Sequence, residues 1–186
     1  MSDARLRRFG RLPGDPSREE MIARMIRVDQ AGEYGAKRIY DGQLAVLGRR
    51  SDVDAIHKMA AAEDEHLAEF DKMLVARRVR PTLLHPLWHV AGFALGAGTA
   101  LLGRSAAMAC TAAVEDVIEQ HYADQAALLA DEDPELKSRI EKFREEEIEH
   151  RDTAFAEGAQ QAPAYPVLTA AVKTGTRLAI WLSERI

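Results

Sequence analysis

Six side chains in this sequence are of the types that hold metal ions, and their spacing is helical. Glu63 and His66 stand three residues apart, as do Glu147 and His150. On an α-helix such residues are neighbours, with Cβ atoms roughly 5–6 Å apart, so one face can present both to one cation. Alone the pattern is weak, since the chain has 17 Glu and six His from which it can arise by chance. Position within the apolar pattern carries more weight. Leu136, Ile140, Phe143, Glu147, His150 and Ala154 follow spacings of 4, 3, 4, 3 and 4, and Met59, Glu63, His66, Phe70 and Met73 follow 4, 3, 4 and 3. Each Glu and His therefore falls in the apolar stripe of its helix. Glu33 sits likewise among Ile26, Asp29, Ala36 and Tyr40, and Glu115 among Met108, Thr111, Ile118 and Tyr122. By comparison Glu145, Glu146, Glu149, Asp64 and Glu69 read as solvated charges.

Four helices thus bring one carboxylate each towards a common core. Burying an unpaired carboxylate costs at least several kcal/mol. A single seam Glu is ordinarily explained by an Arg partner or a bent-out side chain, but four together need a common compensation. Two divalent cations balance four carboxylates, and two neutral imidazoles complete the set. One Glu from each of two helices plus Glu-x-x-His from each of two others is the dimetal arrangement of ferritin-like bundles. Oxygen and imidazole donors suit iron or manganese, and the absence of thiolates disfavours zinc. Beyond the six, His121 and Asp29 are candidates to hydrogen-bond a ligand. His57 and His85 read as surface residues, and His89 as a satisfied interior one.

The elements that must position these residues are legible as helices. Ser17 with Glu20 forms a capping-box pattern after a tail over residues 1–16. A first helix follows to Leu47, then a turn over 48–52 with Ser51 or Asp52 capping a second helix that Pro81 stops near Arg80. A helix carrying Glu115 runs to about Ala130. Asp133-Pro134 opens another, with Pro at its first position, reaching about Gly158. Pro163 and Pro166 lead into a final amphipathic helix ending at Ile186. No stretch alternates with period two for long enough to suggest a strand. The expectation is an all-α, ferritin-like four-helix bundle, a single domain over 17–186, with additional apolar helices.

Composition excludes several classes. The single cysteine, Cys110, permits no internal disulfide and lies among small apolar residues as core filler. The net charge is −5, with 16 Lys/Arg against 14 Asp/Glu in residues 1–80 and 9 against 16 in the rest, and no basic stripe suits nucleic acid. The Arg-rich start lacks the apolar core of a secretory signal and is short for a transit peptide. Residues 82–103 carry no formal charge. Pro86, two His and four Gly dilute their apolarity, so the expectation is a helix lying in one leaflet with Trp88 at the interface, not a span. The final helix is a second apolar wall. A plain buried helix hairpin is the alternative, and Gly92-x-x-x-Gly96 permits close helix approach.

Residues 26–36 (IRVDQAGEYGA), 38–43 (RIYDGQ), 63–66 (EDEH), 92–103 (GFALGAGTALLG), 113–115 (AVE), 147–150 (EIEH), 161–165 (QAPAY) and 181–185 (WLSER) form a recognisable set. On these stretches, from about Met21 to Ile186, the chain resembles the demethoxyubiquinone hydroxylase family of ubiquinone biosynthesis. The family's iron ligands fall on Glu33, Glu63, His66, Glu115, Glu147 and His150, the residues already selected. Gln30 departs from the His of many members. The resemblance implies an O2-dependent monooxygenase with two Fe ions that hydroxylates the ring of a polyprenylated demethoxy-quinone, with NADH as reductant. Tyr122 and His121 become candidates for touching the ring or gating electrons. A membrane surface, the quinone and a lipid-binding protein of the pathway are the implied partners. The missing long presequence favours the cytoplasmic face of a bacterial inner membrane over a mature organellar protein. The rival readings are a ferritin-like ferroxidase or peroxidase and a non-catalytic lipid-binding scaffold.

Overall fold

Six α-helices and one turn of 3-10 helix account for most of the computed structural model, which describes residues 14–48, 50, 52–129 and 132–186. In chain order they are α1 (Arg18–Leu47), α2 (Asp54–Ala76), α3 (His85–Leu101), α4 (Arg104–Leu129), α5 (Pro134–Ala156), the 3-10 turn (Ala159–Gln161) and α6 (Tyr165–Ser183). The fold is all-helical among the described residues, consistent with a ferritin-like bundle. Most of the tail expected over 1–16 lies outside them, as does Ser51.

The ends of the helices follow local chemistry. At the start of α1 the Ser17 side chain accepts from the Glu20 amide at 3.1 Å, and the Ser17 amide donates to Glu20 Oε2 at 2.7 Å. Two of the four orphan donors at the helix start are thereby satisfied. Asp133 accepts from the Leu136 amide at 3.1 Å to open α5, with Pro134 next. Two expectations are corrected. Asp52 does not cap α2: it is held by Arg50, its carbonyl accepts from Arg104 Nε at 2.7 Å, and the cap position falls to Val53 without a side-chain bond. Nor does α2 run to Arg80. Arg78 turns into the left-handed region at φ 53°, and the Val79 and Arg78 amides bond back to Leu74 and Val75. That is a Schellman closure, which ends the helix before Pro81 can.

Helices α1, α2, α4 and α5 form the bundle, with α1 on α2, α4 on α5, α2 on α5 and α1 on α4. The core holds Ile26, Phe70, Leu129, Leu136, Ile140 and Phe143, each at most 2 % exposed. Cys110 is buried within it, and burial pushes its thiol up to about 12. Helices α3 and α6 lie outside this ring, against α1 and α4. Here small residues decide the packing: a Cβ on Gly96 would stand 1.9 Å from the Ile39 carbonyl oxygen, and one on Gly42 would stand 2.2 Å from that of Phe93. The two backbones are in direct contact. Side chains on α3 and α6 that face outward include Leu87, Val90, Leu101, Val167, Leu178 and Trp181. No helix among the described residues is long and apolar enough to cross a membrane.

The contact between α1 and α3 makes opposite forecasts for two glycines of one helix. Gly96→Ala has no room and is expected to destabilise by about 1–3 kcal/mol or more. Gly98→Ala meets open space and should stabilise by up to about 1 kcal/mol through helix propensity. Denaturant midpoints of the two variants that shift in the same direction would refute the packing argument.

Candidate metal centre and adjoining cavity

The stripe positions converge. The buried residues of α5 are Leu136, Ile140, Phe143, Glu147, His150 and Ala154, the whole of the seam read from the sequence. Phe143 packs under the His66 ring at 4.3 Å between centroids and Phe70 at 5.4 Å, so apolar contacts fix where the polar groups of α2 and α5 meet. Glu33, Glu63, Glu115 and Glu147 are each no more than 1 % exposed, and no Lys or Arg among the described residues pairs with any of them.

The six residues fall into two overlapping groups, each with ligand atoms within 4.8 Å of one another. One is Glu33, Glu63, His66 and Glu147; the other is Glu63, Glu115, Glu147 and His150. Glu63 and Glu147 belong to both. The hydrogen bonds follow the same division. Tyr122 donates to Glu33 Oε1, and Tyr40 donates to Glu115 Oε1 at 3.0 Å. Each of these two carboxylates keeps one free oxygen, whereas both oxygens of Glu63 and of Glu147 are free. Eleven buried side-chain polar atoms among the described residues lack a hydrogen-bond partner, and eight of them belong to these six residues. Buried polar atoms are nearly always satisfied, so such a cluster of orphans, aimed at one another, fits cations.

The spacing fits as well. His66 Nδ1 lies 3.2 Å from Glu147 Oε1 and 3.5 Å from Glu33 Oε2, and His150 Nδ1 lies 3.2 Å from Glu63 Oε1 and 3.3 Å from Glu147 Oε2. Donors about 2.1 Å from a shared octahedral ion are themselves about 3 Å apart. His66 Nε2 lies 2.7 Å from Glu146 Oε2. With the ring proton on Nε2 and given to Glu146, the Nδ1 lone pair faces the cluster, the usual support for a metal-binding imidazole. Glu146 is therefore not the merely solvated charge that its outward position suggests.

Without cations, protons must take their place. Burial, with Glu147 and its neighbours adding repulsion, pushes Glu63 and Glu115 well above the carboxylate range. Burial pulls the His66 imidazole down, but Glu147 and Glu33 outweigh it and raise it to about 12. Burial also opposes ionisation of Glu147, and His150 and His66 overcome it to hold that carboxylate near 2.

A cavity of about 300 Å3 lies alongside, walled mainly by apolar residues of α1, α3, α4 and α6, with Asp29, His121 and Tyr122 among its lining. Tyr122 thus reaches both the cavity and Glu33. His121 does not bond any of the six. Its Nε2 lies 3.3 Å from Asp29 Oδ1 and 2.8 Å from Gln125 Nε2, and Gln125 Nε2 lies 2.7 Å from the same Asp29 oxygen. Burial raises Asp29 to about 6 despite both partners. Burial lowers the His121 imidazole, and Asp29 outweighs it to leave the net shift upward.

The remaining positions also differ in part from expectation. His57 is exposed as read, but His85 is half-buried and bonds Gln30 Oε1 at 2.8 Å. His89 is exposed, not interior, because α3 presents it outward to the Tyr34 hydroxyl at 2.6 Å. Gln30 also donates to Asp71 at 2.9 Å, tying α1 to α2 and α3 without touching the six. Tyr40 and Gln125 were not singled out as partners: Tyr40 sits on the Glu33 stripe and looks like core, and Gln125 shares a face with His121 only at the i,i+4 spacing.

Known proteins share this sequence across nearly its whole length. A 3-demethoxyubiquinol 3-hydroxylase of Rhodospirillum rubrum is 63% identical over 177 residues, covering 95% of this chain and 84% of that protein. The NADPH-dependent 3-demethoxyubiquinone 3-hydroxylase of Homo sapiens mitochondria is 56% identical over 169 residues, covering 89% and 78%. The mitochondrial 5-demethoxyubiquinone hydroxylase of Saccharomyces cerevisiae is 44% identical over 182 residues, covering 89% and 78%. Residues 20–183 match the family described as ubiquinone biosynthesis protein COQ7, and the chain belongs to that family.

Proposed function

We propose that this chain is an O2-dependent monooxygenase that hydroxylates the ring of a polyprenylated demethoxyubiquinol in ubiquinone biosynthesis, with two iron ions held by the six clustered residues. The observation that carries the reading is the junction at Tyr122, which lines an apolar cavity and donates to Glu33 of the orphaned carboxylate cluster. The names and identities of the relatives support the substrate and the reaction. The apolar lining of the cavity suits a ring with an isoprenoid tail and speaks against an iron-entry path of the ferroxidase kind. One such unit would occupy residues 17–186.

Glu33 and His66 would hold one iron, Glu115 and His150 the other, and Glu63 and Glu147 would bridge both. Bound there, the iron pair supplies the activation of O2 that no side chain provides. The chain's own residues supply the rest. The phenols of Tyr40 and Tyr122 fix one oxygen of each terminal carboxylate and leave the other free. Glu146 keeps the His66 lone pair aimed inward. The apolar walls exclude water from the space beside Tyr122, and Tyr122 and His121 are placed to meet a ring there. Reducing equivalents would come from a reduced nicotinamide nucleotide. NADH is the form expected from the resemblance, and the names of the human and mouse relatives specify NADPH.

The outward-facing apolar side chains of α3 and α6 would rest on a membrane surface and admit the tail. The two helices meet through the Trp88 Nε1 bond to Ser183 Oγ at 3.0 Å. A lipid-binding partner protein of the pathway could use the same face. The cytoplasmic side of a bacterial inner membrane is the proposed location, and an organellar inner membrane is the alternative that the mitochondrial relatives suit.

The reaction is tested by loading the chain with ferrous iron under nitrogen, adding a demethoxy-quinol, admitting O2 and weighing the extracted ring by mass spectrometry. A gain of one oxygen atom that Glu115→Ala abolishes is expected; an unaltered ring from a fully loaded sample rejects the proposal. Chelation should lower the melting temperature by about 8–16 °C, since a site filled at a thousandfold excess over its dissociation constant contributes about 4 kcal/mol. Burial with carboxylate crowding raises Glu63 and Glu115, and the carboxylates beside His66 raise it to about 12, so metal binding competes with protons at these groups. Apparent metal affinity should therefore fall about tenfold per displaced proton for each unit that pH decreases. A metal titration with no slope between pH 6.5 and 7.5 (about one unit, as that linkage requires) contradicts the site. Glu146→Ala is expected to weaken one of the two metals by about 10- to 100-fold, and two unchanged binding constants would return Glu146 to the status of a surface charge.

A further inference from the structure

Several arginines of the bundle have a carboxylate partner: Arg38 pairs with Asp41, Arg77 with Asp133 and Arg185 with Glu184. Among the described residues, Arg24, Arg27 and Arg80 have none. Arg24 and Arg27 stand three apart on α1 and are neighbours on its surface. The Arg27 Nε donates to the Arg80 carbonyl at 3.0 Å, which brings the Arg80 backbone to the same place. Partial burial, then the charges of Arg80 and Arg24, hold the Arg27 guanidinium below the usual arginine range, and no carboxylate enters that balance. Glu20 feels the charge of Arg24, but its carboxylate accepts from the Ser17 amide at 2.7 Å. Arg24 and Arg80 are exposed and Arg27 is half-buried, so the cluster is open to solvent on one side. Like charges held together without a counter-ion repel one another and call for an anion from outside the chain.

The surroundings of the three arginines are apolar. Leu83 follows Arg80 within at most about 10 Å of chain and is 70 % exposed, Val75 at the end of α2 is 80 % exposed, and Leu87 on α3 is 50 % exposed. The Leu83 amide donates to the Ile186 carbonyl at 3.5 Å, which draws in the end of α6. There the Arg185 guanidinium covers the Trp181 ring at 4.3 Å. Exposed apolar side chains beside unneutralised guanidiniums match a ligand that carries acyl chains and a phosphate on one molecule. A soluble nucleotide supplies the phosphate but leaves Leu83, Val75 and Leu87 in water. We propose that Arg24, Arg27 and Arg80 bind the headgroup phosphate of an anionic phospholipid, an inference that rests on the membrane-contacting reading of α3 and α6 above. Val28, next to Arg27, lines the cavity together with Trp88 and Ser183. A headgroup held at the arginines therefore registers that end of the cavity against the bilayer surface.

The test measures flotation of the full, iron-loaded chain with vesicles at about 0.1 M salt. One set is phosphatidylcholine alone, and in the other phosphatidylglycerol replaces about a third of the lipid. The anionic vesicles should bind at least about tenfold more tightly, since each arginine at a negative surface contributes about fivefold. Arg24→Gln with Arg80→Gln changes two exposed side chains and should cost about 25-fold on the anionic vesicles and less than about twofold on the neutral ones. Arg139→Gln with Arg144→Gln, an equal change of charge on α5, should leave both within about threefold. Equal binding to the two vesicles, an anionic preference that persists in the Arg24 and Arg80 variant, or an equal loss in the α5 variant overturns the inference and leaves the membrane reading standing. Binding to neither kind of vesicle overturns both. NADPH and inorganic phosphate, titrated separately into the bound sample, should not release the chain. Release by either at micromolar concentration, with binding of that anion lost in the Arg24 and Arg80 variant, assigns the arginines to a soluble phosphate and overturns the lipid assignment. The comparison of vesicles needs no variant, so it decides the matter even where a variant does not fold.

Discussion

Four carboxylates share a core in which no Lys or Arg among the described residues pairs with any of them, and the bundle must meet that cost. At 4 Å two such charges repel by about 4 kcal/mol even with generous protein screening. The repulsion is tolerable only when positive charge enters between them, as protons or, in the proposed holoenzyme, as two cations. A helical bundle suits the task because each helix satisfies its own backbone polar groups. The interior is then left with side-chain atoms only, and their orphaned lone pairs can all be directed at one place. The aromatic pairs of Phe143 with His66 and Phe70 hold α2 and α5 at that place before any ion is bound.

The two outer helices answer a different constraint. Helix α1 buries Glu33 on one side while Gly42 on another lies against the backbone of α3. Close approach through glycine lets α3 cover α1 without a layer of side chains. The space left open lies further along, where α3, α6, α1 and α4 enclose the cavity. The outward faces of α3 and α6 keep their apolar side chains because no other element of the described chain covers them. Carboxylate cluster, cavity and apolar exterior therefore form one sequence of surfaces, with Tyr122 and Trp88 at its two boundaries.

Much of this was legible from period alone. The 3-and-4 spacing of α5 names its buried residues without error, since one side of a straight helix has one neighbour environment. What period cannot supply is the relation between helices. That Glu63 and Glu147 lie in both ligand groups depends on the crossing of α2 and α5, which no spacing within either encodes. Glu146 points away from its own helix's seam yet reaches across to His66, and the exposure of His89 is hidden for the same reason, because the buried side of α3 is set by its packing on α1 and α4. The end of α2 was missed on different grounds. A left-handed Arg78 is uncommon, and the Pro81 signal outranked it in the sequence.

The six residues are symmetric by type and unequal by surroundings. Both terminal carboxylates receive a phenol, but only the phenol on Glu33 borders the cavity, while Tyr40 is enclosed by core. His66 is steadied by Glu146, whose side chain is one-third exposed and also lies 3.3 Å from Lys142. The Glu33–His66 half thus faces the cavity through one residue and solvent through another, and the Glu115–His150 half is set deeper against Tyr40 and the core around Met59 and Met108. An ion in the first half would feel changes in the cavity through Tyr122, which lines it and donates to Glu33. An ion in the second half has no such link. The two halves are built from a repeated motif, but the packing around them joins one half to the cavity through Tyr122 and sets the other in the core beside Tyr40.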